Sequence, residues 1–300
     1  MIQPSTLHSN PKVSIYQNQP TNPQYGLFIV HGMAEHGLRY QRFMDDLENE
    51  NILACTMDLS GHGKSLSPNQ AVGILRKEDR FDTILEDLNQ WTLEVIKNHP
   101  DLKFTLMGHS MGSIFARRLA ANHPDRFKQM IWMGTLPYFS PLKIGFIRIL
   151  AGLISSFYPV NKRNHTLSFL LNHPLEKKHP GRAFNWLSKN QDNVDGYLAD
   201  DAAGYVYNSR FYRWFFKLIQ EVNQRNSIKK TTLEAVYIIA GTHDPVIGSP
   251  AALKQLMKRY EKIKTSYYFV PQARHEVLNE GMKEVDTWLI GVIRDEWGNT

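Results

Sequence analysis

The 300-residue sequence is poor in cysteine and has no long uninterrupted apolar run. Cys55 is the single cysteine, so an internal disulfide and a cysteine-based metal site are both excluded. No uncharged apolar stretch reaches the roughly 18 residues of a transmembrane helix. The N-terminus lacks the basic start, apolar run and small-residue cleavage site of a secretory signal. These absences predict a cytoplasmic protein, and they leave peripheral membrane contact open.

The charge balance is only mildly basic, with a formal net charge of +6 from 35 basic and 29 acidic side chains. No Lys/Arg cluster runs along a helix and no nucleic-acid motif occurs, so a nucleic-acid partner is not expected. A solubilising surface excess explains the charge best, although attraction to anionic lipid or acidic substrates stays open. No obligate protein partner is evident. No H-E-x-x-H pattern or comparable ligand cluster occurs, so no metal or cofactor is predicted.

Short apolar runs alternate with segments of helical periodicity. The predicted strands are almost continuously apolar, as in strands buried on both faces of a parallel sheet, and span 25–30, 52–57, 104–107, 130–133, 236–240 and 267–270. The predicted helices span 81–98, 111–122, 250–260 and 282–297. This alternation predicts an α/β fold with a mostly parallel, doubly wound sheet. A strand over 13–16 is expected to form an antiparallel edge.

The alternation stops between residues 137 and 208. This stretch has helical patches, several Pro and Gly residues and no convincing strand. A segment of about 70 residues is too long for a simple loop in a compact domain. The sequence therefore predicts a first core part over residues 1–136, a helical cap over 137–208 and a second core part over 209–300.

The strongest local signal is Gly108-His109-Ser110-Met111-Gly112, a G-x-S-x-G sequence between a predicted strand and a predicted helix. In that context the pattern predicts a nucleophile elbow, a sharp turn that exposes the hydroxyl of Ser110. Glycine is expected at 108 and 112 because larger side chains would collide there. The five-residue pattern alone also fits a glycine turn with a surface serine, but the strand–turn–helix context favours the elbow.

A serine nucleophile needs a base and an acid, and the sequence offers both after later strands. Asp244 follows the strand over 236–240, and His275 follows the strand over 267–270. The carboxyl ends of parallel strands are where such a sheet builds its site. We therefore predict Ser110, Asp244 and His275 as a catalytic triad in the chain order typical of this fold. Two other histidines are weaker candidates for the base. His243 adjoins the acid and precedes it in the chain, and His109 is expected to shape the elbow.

An oxyanion hole requires two backbone donors near the nucleophile. One predicted donor is the N–H of Met111, the residue after the serine. The other is the N–H of Met33, since Gly32 lets the backbone turn toward the site; a plain strand-ending turn is the alternative. The glycine loop over 58–65 departs from the phosphate-loop pattern and is interpreted as structural.

Five segments together resemble a known family. They are HGMAEHGLRY (31–40), DLSGHGKS (58–65), GHSMGS (108–113), GTHDPV (241–246) and ARHEVLNE (273–280). They are similar, in order, to the monoacylglycerol lipase and lysophospholipase branch of the α/β-hydrolases. The resemblance implies that fold, the same triad and the same two oxyanion donors. Residues 184–215 look like the cap of bacterial lysophospholipase-like members, a region that varies and says less about substrate.

The leading functional hypothesis is hydrolysis of an ester with one acyl chain, a monoacylglycerol or a lysophospholipid. Besides the resemblance, it relies on the segment 144–160, which is apolar nearly all round and could line an acyl tunnel or contact a membrane. Ile144, Ile147 and Leu150 are its candidate substrate-lining residues. Packing of the same helix on the core is an equally good interpretation.

Other functions fit the same triad. A small-ester carboxylesterase, an acyltransferase and an aminopeptidase-like enzyme share its chemistry, whereas a non-catalytic binding protein would not need all three triad members. An aminopeptidase would need acidic cap residues to hold a substrate amine, and the candidates are Asp192, Asp195, Asp200 and Asp201.

Overall fold

A computed structural model describes residues 2–295. Its central sheet contains eight strands: β1 Gln3–Leu7, β2 Asn10–Gln17, β3 Tyr25–Val30, β4 Ile52–Met57, β5 Lys103–His109, β6 Gln129–Met133, β7 Ala235–Gly241 and β8 Lys264–Val270. The spatial order is β1-β2-β4-β3-β5-β6-β7-β8. β1 and β2 pair antiparallel, and β3 to β8 are parallel throughout. The predicted α/β class and mostly parallel sheet are confirmed.

Helices cover both faces of the sheet. They are α1 Gln41–Asn49, α2 Phe81–Asn98, α3 Met111–Asn122, α4 Pro141–Ser156, α5 His165–Lys178, α6 Gln191–Ala199, α7 Ser209–Val222, α8 Arg225–Lys229, α9 Pro250–Arg259 and α10 Lys283–Ile293. Along β3, Phe28 and Val30 join the apolar cluster under α2, α3 and α7, whereas Leu27 and Ile29 join the cluster under α1 and α10. Burial on both faces is the reason why the central strands are continuously apolar.

Several elements differ from the sequence-based expectations at their ends. The edge strand extends over Asn10–Gln17, and it pairs with β1, which sequence analysis missed because QPSTL has four exposed residues out of five. Helix α1 was also missed, since it buries only Phe43, Met44 and Leu47. Helix α10 ends at Ile293, and the predicted end at residue 297 lies outside the described residues.

The predicted insertion contains α4, α5 and α6, and within residues 137–208 the structure has no strand apart from an isolated bridge between Arg163 and Asn208. The chain leaves the sheet after β6 and re-enters it at β7. Helix α7 begins at Ser209 and contacts both α4 and α3. The apolar clusters of the insertion and of the sheet therefore merge along α7.

Helix α4 carries an unusual surface. Its exposed large apolar side chains, 43–88% accessible, are Leu142, Phe146, Ile149, Leu150 and Leu153, and Phe157 follows at its end. Ile144 and Ala151 are buried on the opposite side. Among residues 2–295, no helix is both long and apolar enough to cross a bilayer. The apolar character of α4 thus extends well beyond the side that packs on the protein.

Candidate active site

Ser110 occupies a strained turn between β5 and α3. Its backbone has φ 51° and ψ −119°, a combination that non-glycine residues rarely adopt. The turn is held by its own hydrogen bonds: the N–H of Ser110 donates to the carbonyl of Met133 at 2.9 Å, and the hydroxyl of Ser113 donates to the carbonyl of Ser110 at 2.6 Å. The Ser113 hydroxyl also lies 2.7 Å from that of Thr135. These contacts fix the serine at the carboxyl end of the central strand.

The glycines on either side of the turn have no room for a side chain. A Cβ at Gly108 would lie 2.5 Å from the carbonyl oxygen of Gly112 and from the Cα of Ser113. A Cβ at Gly112 would overlap the carbonyl of Val30 on the neighbouring strand. Close approach of helix α3 to the sheet therefore requires glycine at both positions.

His275 and Asp244 form a buried pair after β8 and β7. The Nδ1 of His275 lies 2.9 Å from Oδ2 of Asp244, and both residues are almost fully buried. The other carboxylate oxygen accepts the N–H of Val246 at 2.8 Å. An ionised carboxylate can only accept, so Nδ1–H donates to it and Nε2 is left as the basic nitrogen. Gly134 backs the pair, because a Cβ there would lie 2.9 Å from the imidazole of His275.

A cavity of about 400 Å³ contains both Ser110 and His275. Trp186 lies on one side, with its ring 5.2 Å from that of His275. One face of α5 forms another part of the lining and is largely polar, with His165, Ser168, Phe169, Asn172, His173 and Glu176. The cavity therefore offers both apolar and hydrogen-bonding surface around the serine and the imidazole.

The loop after β3 passes beside the serine. A Cβ on Gly32 would lie 3.3 Å from the Cβ of Ser110, and the next residue, Met33, lines the cavity. The N–H of Gly32 donates to the carboxylate of Glu35, which fixes the start of this loop. Met111 is the first residue of α3, buried behind the nucleophile. The two predicted oxyanion donors thus belong to the two backbone segments that flank Ser110.

The insertion holds this loop in place through Ala34, which has a positive φ of 53°. The N–H of Ala34 donates to the hydroxyl of Tyr207 at 2.7 Å. Its carbonyl accepts the hydroxyl of Tyr197 and the N–H of Gly204, both at 2.9 Å. The Tyr207 hydroxyl also lies 2.8 Å from Nε2 of His62. Both peptide groups of the loop residue are therefore bonded to the second half of the insertion.

A buried ionic network centred on Glu35 was not found by sequence analysis. Its Oε1 accepts the hydroxyl of Tyr40 and lies 3.0 Å from Nδ1 of His109, while its Oε2 accepts Nε of Arg39 at 3.2 Å. Burial acts to raise the pKa of Glu35, but the charge and hydrogen bond of His109, together with Arg39, lower that pKa well below its usual range. Burial acts to lower the pKa of His109, and Glu35 more than offsets it, so this pKa is raised.

Arg39 extends the network to the loop that carries His275. Its guanidinium donates to Oε2 of Glu276 at 2.6 Å, and Glu276 directly follows His275. Asn193 of the cap donates to the same oxygen at 2.7 Å. Through Glu35, the network thus links the loop after β3, His109 next to Ser110, and the loop that carries His275 and Glu276. The signal in the sequence was the pair Glu35 and Arg39, four residues apart in the segment 31–40.

The structure places the candidate substrate-lining residues away from Ser110. Ile144, Ile147 and Leu150 border a separate, almost wholly apolar cavity of about 340 Å³ between α4, α5 and α7. Helix α5 divides the two cavities: Asn172 faces the one with the serine, and Leu170 faces the apolar one. The predominantly apolar composition of α4 could not indicate which side of α5 these residues would reach.

The remaining candidates also lie outside the cavity that contains Ser110. His243 is exposed, and its carbonyl accepts Nε2 of His179. Of the cap acids, Asp195 pairs with Arg182 and Asp200 with His36, and none lines the cavity; the others are Asp192 and Asp201. In the loop over 58–65, the buried Asp58 accepts two backbone N–H groups, which is consistent with the structural role predicted for this loop. Within residues 2–295, no group of three or more His, Cys, Asp or Glu is arranged to hold a metal ion.

Comparison with known proteins identifies the family to which the chain belongs. The family model described as "Serine aminopeptidase, S33" matches residues 21–282. The chain belongs to this α/β-hydrolase family. Rat monoglyceride lipase is 25% identical over 282 residues, which cover 91% of this chain and 85% of the relative. A monoacylglycerol lipase of Mycolicibacterium smegmatis is 22% identical and covers 90% of this chain and 89% of its own.

Solved structures agree on the fold. A carboxyl esterase from Bacillus coagulans superposes with a TM-score of 0.85 at 23% identity, covering 98% of both chains. A monoglyceride lipase from Saccharomyces cerevisiae reaches a TM-score of 0.71 at 18% identity, over 98% of this chain and 94% of that one. The α/β-hydrolase fold implied by the five segments is confirmed, and the family assignment makes the protein an ester hydrolase.

Proposed function

We propose that the protein is a serine hydrolase that cleaves the carboxylic ester of a monoacyl lipid, a monoacylglycerol or a lysophospholipid. The observation that carries this proposal is the cavity in which Ser110, on a strained turn, lies with His275, whose imidazole is bonded to Asp244. A serine hydroxyl is a poor nucleophile until a positioned base removes its proton, and this arrangement supplies that base.

The reaction proceeds in two halves. His275 Nε2 takes the hydroxyl proton as Ser110 Oγ bonds to the ester carbonyl carbon, and Asp244 stabilises the imidazolium. The N–H groups of Met33 and Met111 stabilise the tetrahedral oxyanion, and each such donor typically contributes about 3–4 kcal/mol. The bond to the alcohol oxygen breaks, and His275 returns the proton to that oxygen. Water, activated by the same imidazole, then releases the fatty acid and restores Ser110.

The lining of the cavity supports a substrate with a polar end and one apolar chain. Asn172 and Glu176 offer hydrogen bonds to hydroxyl groups, and Nε2 of the buried His109 has no partner among the described residues. Phe184 and Trp186 provide apolar surface in the same cavity. A volume of about 400 Å³ lies within the common range of small-molecule sites and favours one acyl chain over three. Similarity to two monoacylglycerol lipases supports the same substrate class.

A small-ester carboxylesterase is the second candidate, supported by the likeness to the Bacillus coagulans carboxyl esterase. An aminopeptidase-like activity has less support, because Asp192, Asp195, Asp200 and Asp201 lie outside the cavity. An acyltransferase would use the same acyl-enzyme and differ only in the acceptor.

A panel of purified substrates tests the proposal. It compares long-chain monoacylglycerols, lysophospholipids, triacylglycerols, short p-nitrophenyl esters and aminoacyl amides, with and without an added alcohol acceptor. We expect the highest kcat/KM for a long-chain monoacyl ester. Preference for short esters would favour the carboxylesterase, triacylglycerol turnover at an equal rate would contradict the single-chain site, and a dominant ester product would show transfer.

We further propose that residues 137–208 act as a cap over this site and that α4 contacts lipid surfaces peripherally. The exposed Phe146 and Ile149, 68% and 66% accessible, have the composition of an interfacial helix. Changing both to serine should reduce co-sedimentation with vesicles and leave turnover of a short soluble ester unchanged. Unaltered vesicle binding would contradict lipid contact through α4.

A further inference from the structure

A third cavity, of about 450 Å³, lies between the start of α2, one side of α4 and α7. It shares no lining residue with the cavity of Ser110. Its walls carry five basic side chains and only two acidic ones: Arg80, Arg148, Arg210, Arg213 and Lys217 against Asp82 and Glu221. We refer to it as the basic cavity.

The two acidic residues are already engaged. Asp82 accepts Arg80 at 2.8 Å, and Glu221 lies 3.4 Å from Nζ of Lys217 and 3.8 Å from Nε of Arg118. The other three basic residues have no acidic partner within the part of the chain that the structure describes.

Those three cations differ in what holds them. Arg148 donates to the side-chain carbonyl of Gln220, and Arg210 donates to the carbonyl of Leu75 at 3.1 Å. Arg213 is exposed and has no hydrogen bond or ion pair to residues 2–295. Each guanidinium has five N–H donors in a planar fork, so most of this donor capacity remains available.

Ser155 supplies an independent observation. It lines the basic cavity, is only 7% exposed, and its buried hydroxyl has no hydrogen-bond partner among residues 2–295. Leaving a buried hydroxyl unsatisfied costs about 1–3 kcal/mol, so rotation of the Ser155 side chain toward an acceptor oxygen bound in the cavity would recover that free energy. The N-terminal end of α2, an 18-residue helix, borders the same space and favours negative charge.

We propose that the basic cavity binds the phosphate of an anionic phospholipid that is not hydrolysed. Guanidinium forks match phosphate oxygens bidentately, which distinguishes phosphate from a simple halide. A lipid fits better than a free phosphate because apolar surface adjoins the site. Val160, which is 59% exposed, lines the basic cavity. Helix α4 contributes Ser155 and Arg148 to this cavity and exposes apolar side chains elsewhere. A headgroup held there keeps its acyl chains next to the apolar surface of α4.

This site would give the cap a stronger preference for anionic bilayers than the net charge of the protein alone provides. A juxtaposed basic residue typically contributes about 1 kcal/mol of attraction to an anionic surface, and that attraction is screened by salt. A defined pocket adds contacts that do not depend only on net charge. Lipid bound in the basic cavity would hold α4 at the membrane from which a monoacyl substrate is drawn; this consequence depends on the proposed function, whereas the binding itself does not.

The test compares two double variants with the same change in charge. Arg148→Glu with Arg213→Glu alters the basic cavity, and Lys258→Glu with Lys262→Glu alters an exposed basic cluster elsewhere. Flotation with phosphatidylcholine vesicles, with and without phosphatidylglycerol, measures binding, and turnover of a short soluble ester and the melting temperature verify the fold. We expect the first variant to lose at least about tenfold in affinity for anionic vesicles, the second much less, and neither to change soluble-ester turnover.

Ser155→Ala provides a variant that leaves the charge unaltered. Loss of one hydroxyl donor to a charged group should weaken anionic-vesicle binding by about tenfold. Equal losses in the two charge variants would show that only net charge matters, and unchanged binding in Ser155→Ala would remove the hydroxyl from the site; either result overturns the proposal. Binding of inorganic phosphate in calorimetry without preference for anionic vesicles would overturn the lipid as its source. If the wild-type protein hydrolysed no ester, that result would contradict the proposed function and leave the lipid-binding proposal untouched.

Discussion

At the carboxyl end of the central strand β5, Gly108 and Gly112 have no space for a Cβ. In helix α4, by contrast, a Cβ added to Gly145 or Gly152 would have no atom within 4 Å. The same residue type is thus indispensable in one region and replaceable in the other. Around Ser110, each backbone segment is fixed by close packing, buried hydrogen bonds or the ion pairs of Glu35. On the outer side of α4, the side chains touch little besides solvent.

The difference separates two kinds of requirement. The proposed catalysis needs atoms held to fractions of an ångström, so the carboxyl ends of the central strands should tolerate few substitutions. The proposed lipid contact needs only exposed apolar area and suitable charge, so many sequences would serve in the proposed cap.

The largest effect is expected from Ser110→Ala. Removal of the nucleophile should reduce kcat by about 10⁶-fold, as is typical of a triad that acts as a unit. Ser5→Ala, which removes an exposed hydroxyl from the edge strand β1, is the control and should retain nearly full activity. Initial rates on a soluble ester and labelling by a fluorophosphonate decide the matter; labelling of the alanine variant would contradict the assignment.

Gly112→Ala should follow. An added Cβ would overlap the carbonyl of Val30, so α3 must move away from the sheet. We expect a loss of at least about 3 kcal/mol in the free energy of unfolding, within the range of severe overpacking, and loss of most activity. Urea unfolding and ester turnover measure both. A stable, active variant would show that the packing of α3 against β3 is less constrained than its geometry indicates.

The pair of Glu35 and His109 should make stability depend on pH. Because the pKa of Glu35 is depressed, its stabilisation is present above the unfolded value of about 4.3 and is lost as pH falls. Because the pKa of His109 is raised, its stabilisation is complete below about 6.5 and is lost as pH rises through the folded pKa. Urea unfolding at a series of pH values should therefore show a plateau between these limits.

Glu35→Gln should flatten that profile and cost on the order of 3 kcal/mol, as for one removed partner of a buried ion pair. Asp46→Asn is the control, because Asp46 pairs with Arg42 at an exposed position and should change stability by less than about 1 kcal/mol. An unaltered pH profile in Glu35→Gln would contradict the role assigned to the network.

The two sides of α5 should respond differently to a bulky side chain. Asn172→Trp fills the cavity of Ser110 and should lower kcat/KM for a long-chain monoacylglycerol by about tenfold or more. Leu170→Trp, on the apolar side, should change it by only about twofold, as for a surface change of roughly 0.5 kcal/mol. The reverse order would indicate that the acyl chain occupies the apolar cavity.

The smallest effect is expected from Gly145→Ala. The position lies inside α4 with open space around it, and alanine favours helix by about 0.5–1 kcal/mol over glycine. The melting temperature should rise slightly while ester turnover stays unchanged. A destabilised variant would show that the cap packs more tightly around α4 than its surroundings indicate.

The same contrast explains what the sequence could predict. The strands, the strained turn and the loops bearing Asp244 and His275 leave strong local patterns, because close packing restricts residue types within a few positions. The link from Arg39 to Glu276 joins residues 237 positions apart, and no local pattern records such a distance. For α4, an apolar composition on every side does not specify which side chains are buried, so Ile147 could not be assigned to a cavity from the sequence.

The hydrogen bonds at Ala34 have a consequence for engineering. One way to change the substrate of such a hydrolase is to replace its inserted segment with that of a relative, with the graft junctions at the two ends of the insertion. Here a graft of residues 137–208 would replace Tyr197, Gly204 and Tyr207, and with them all three hydrogen bonds that hold the peptide groups of Ala34. A chimera that keeps residues 191–207 from this chain would preserve the loop beside Ser110. The transplantable unit is therefore shorter than the insertion, and it ends before the helix that carries Tyr197.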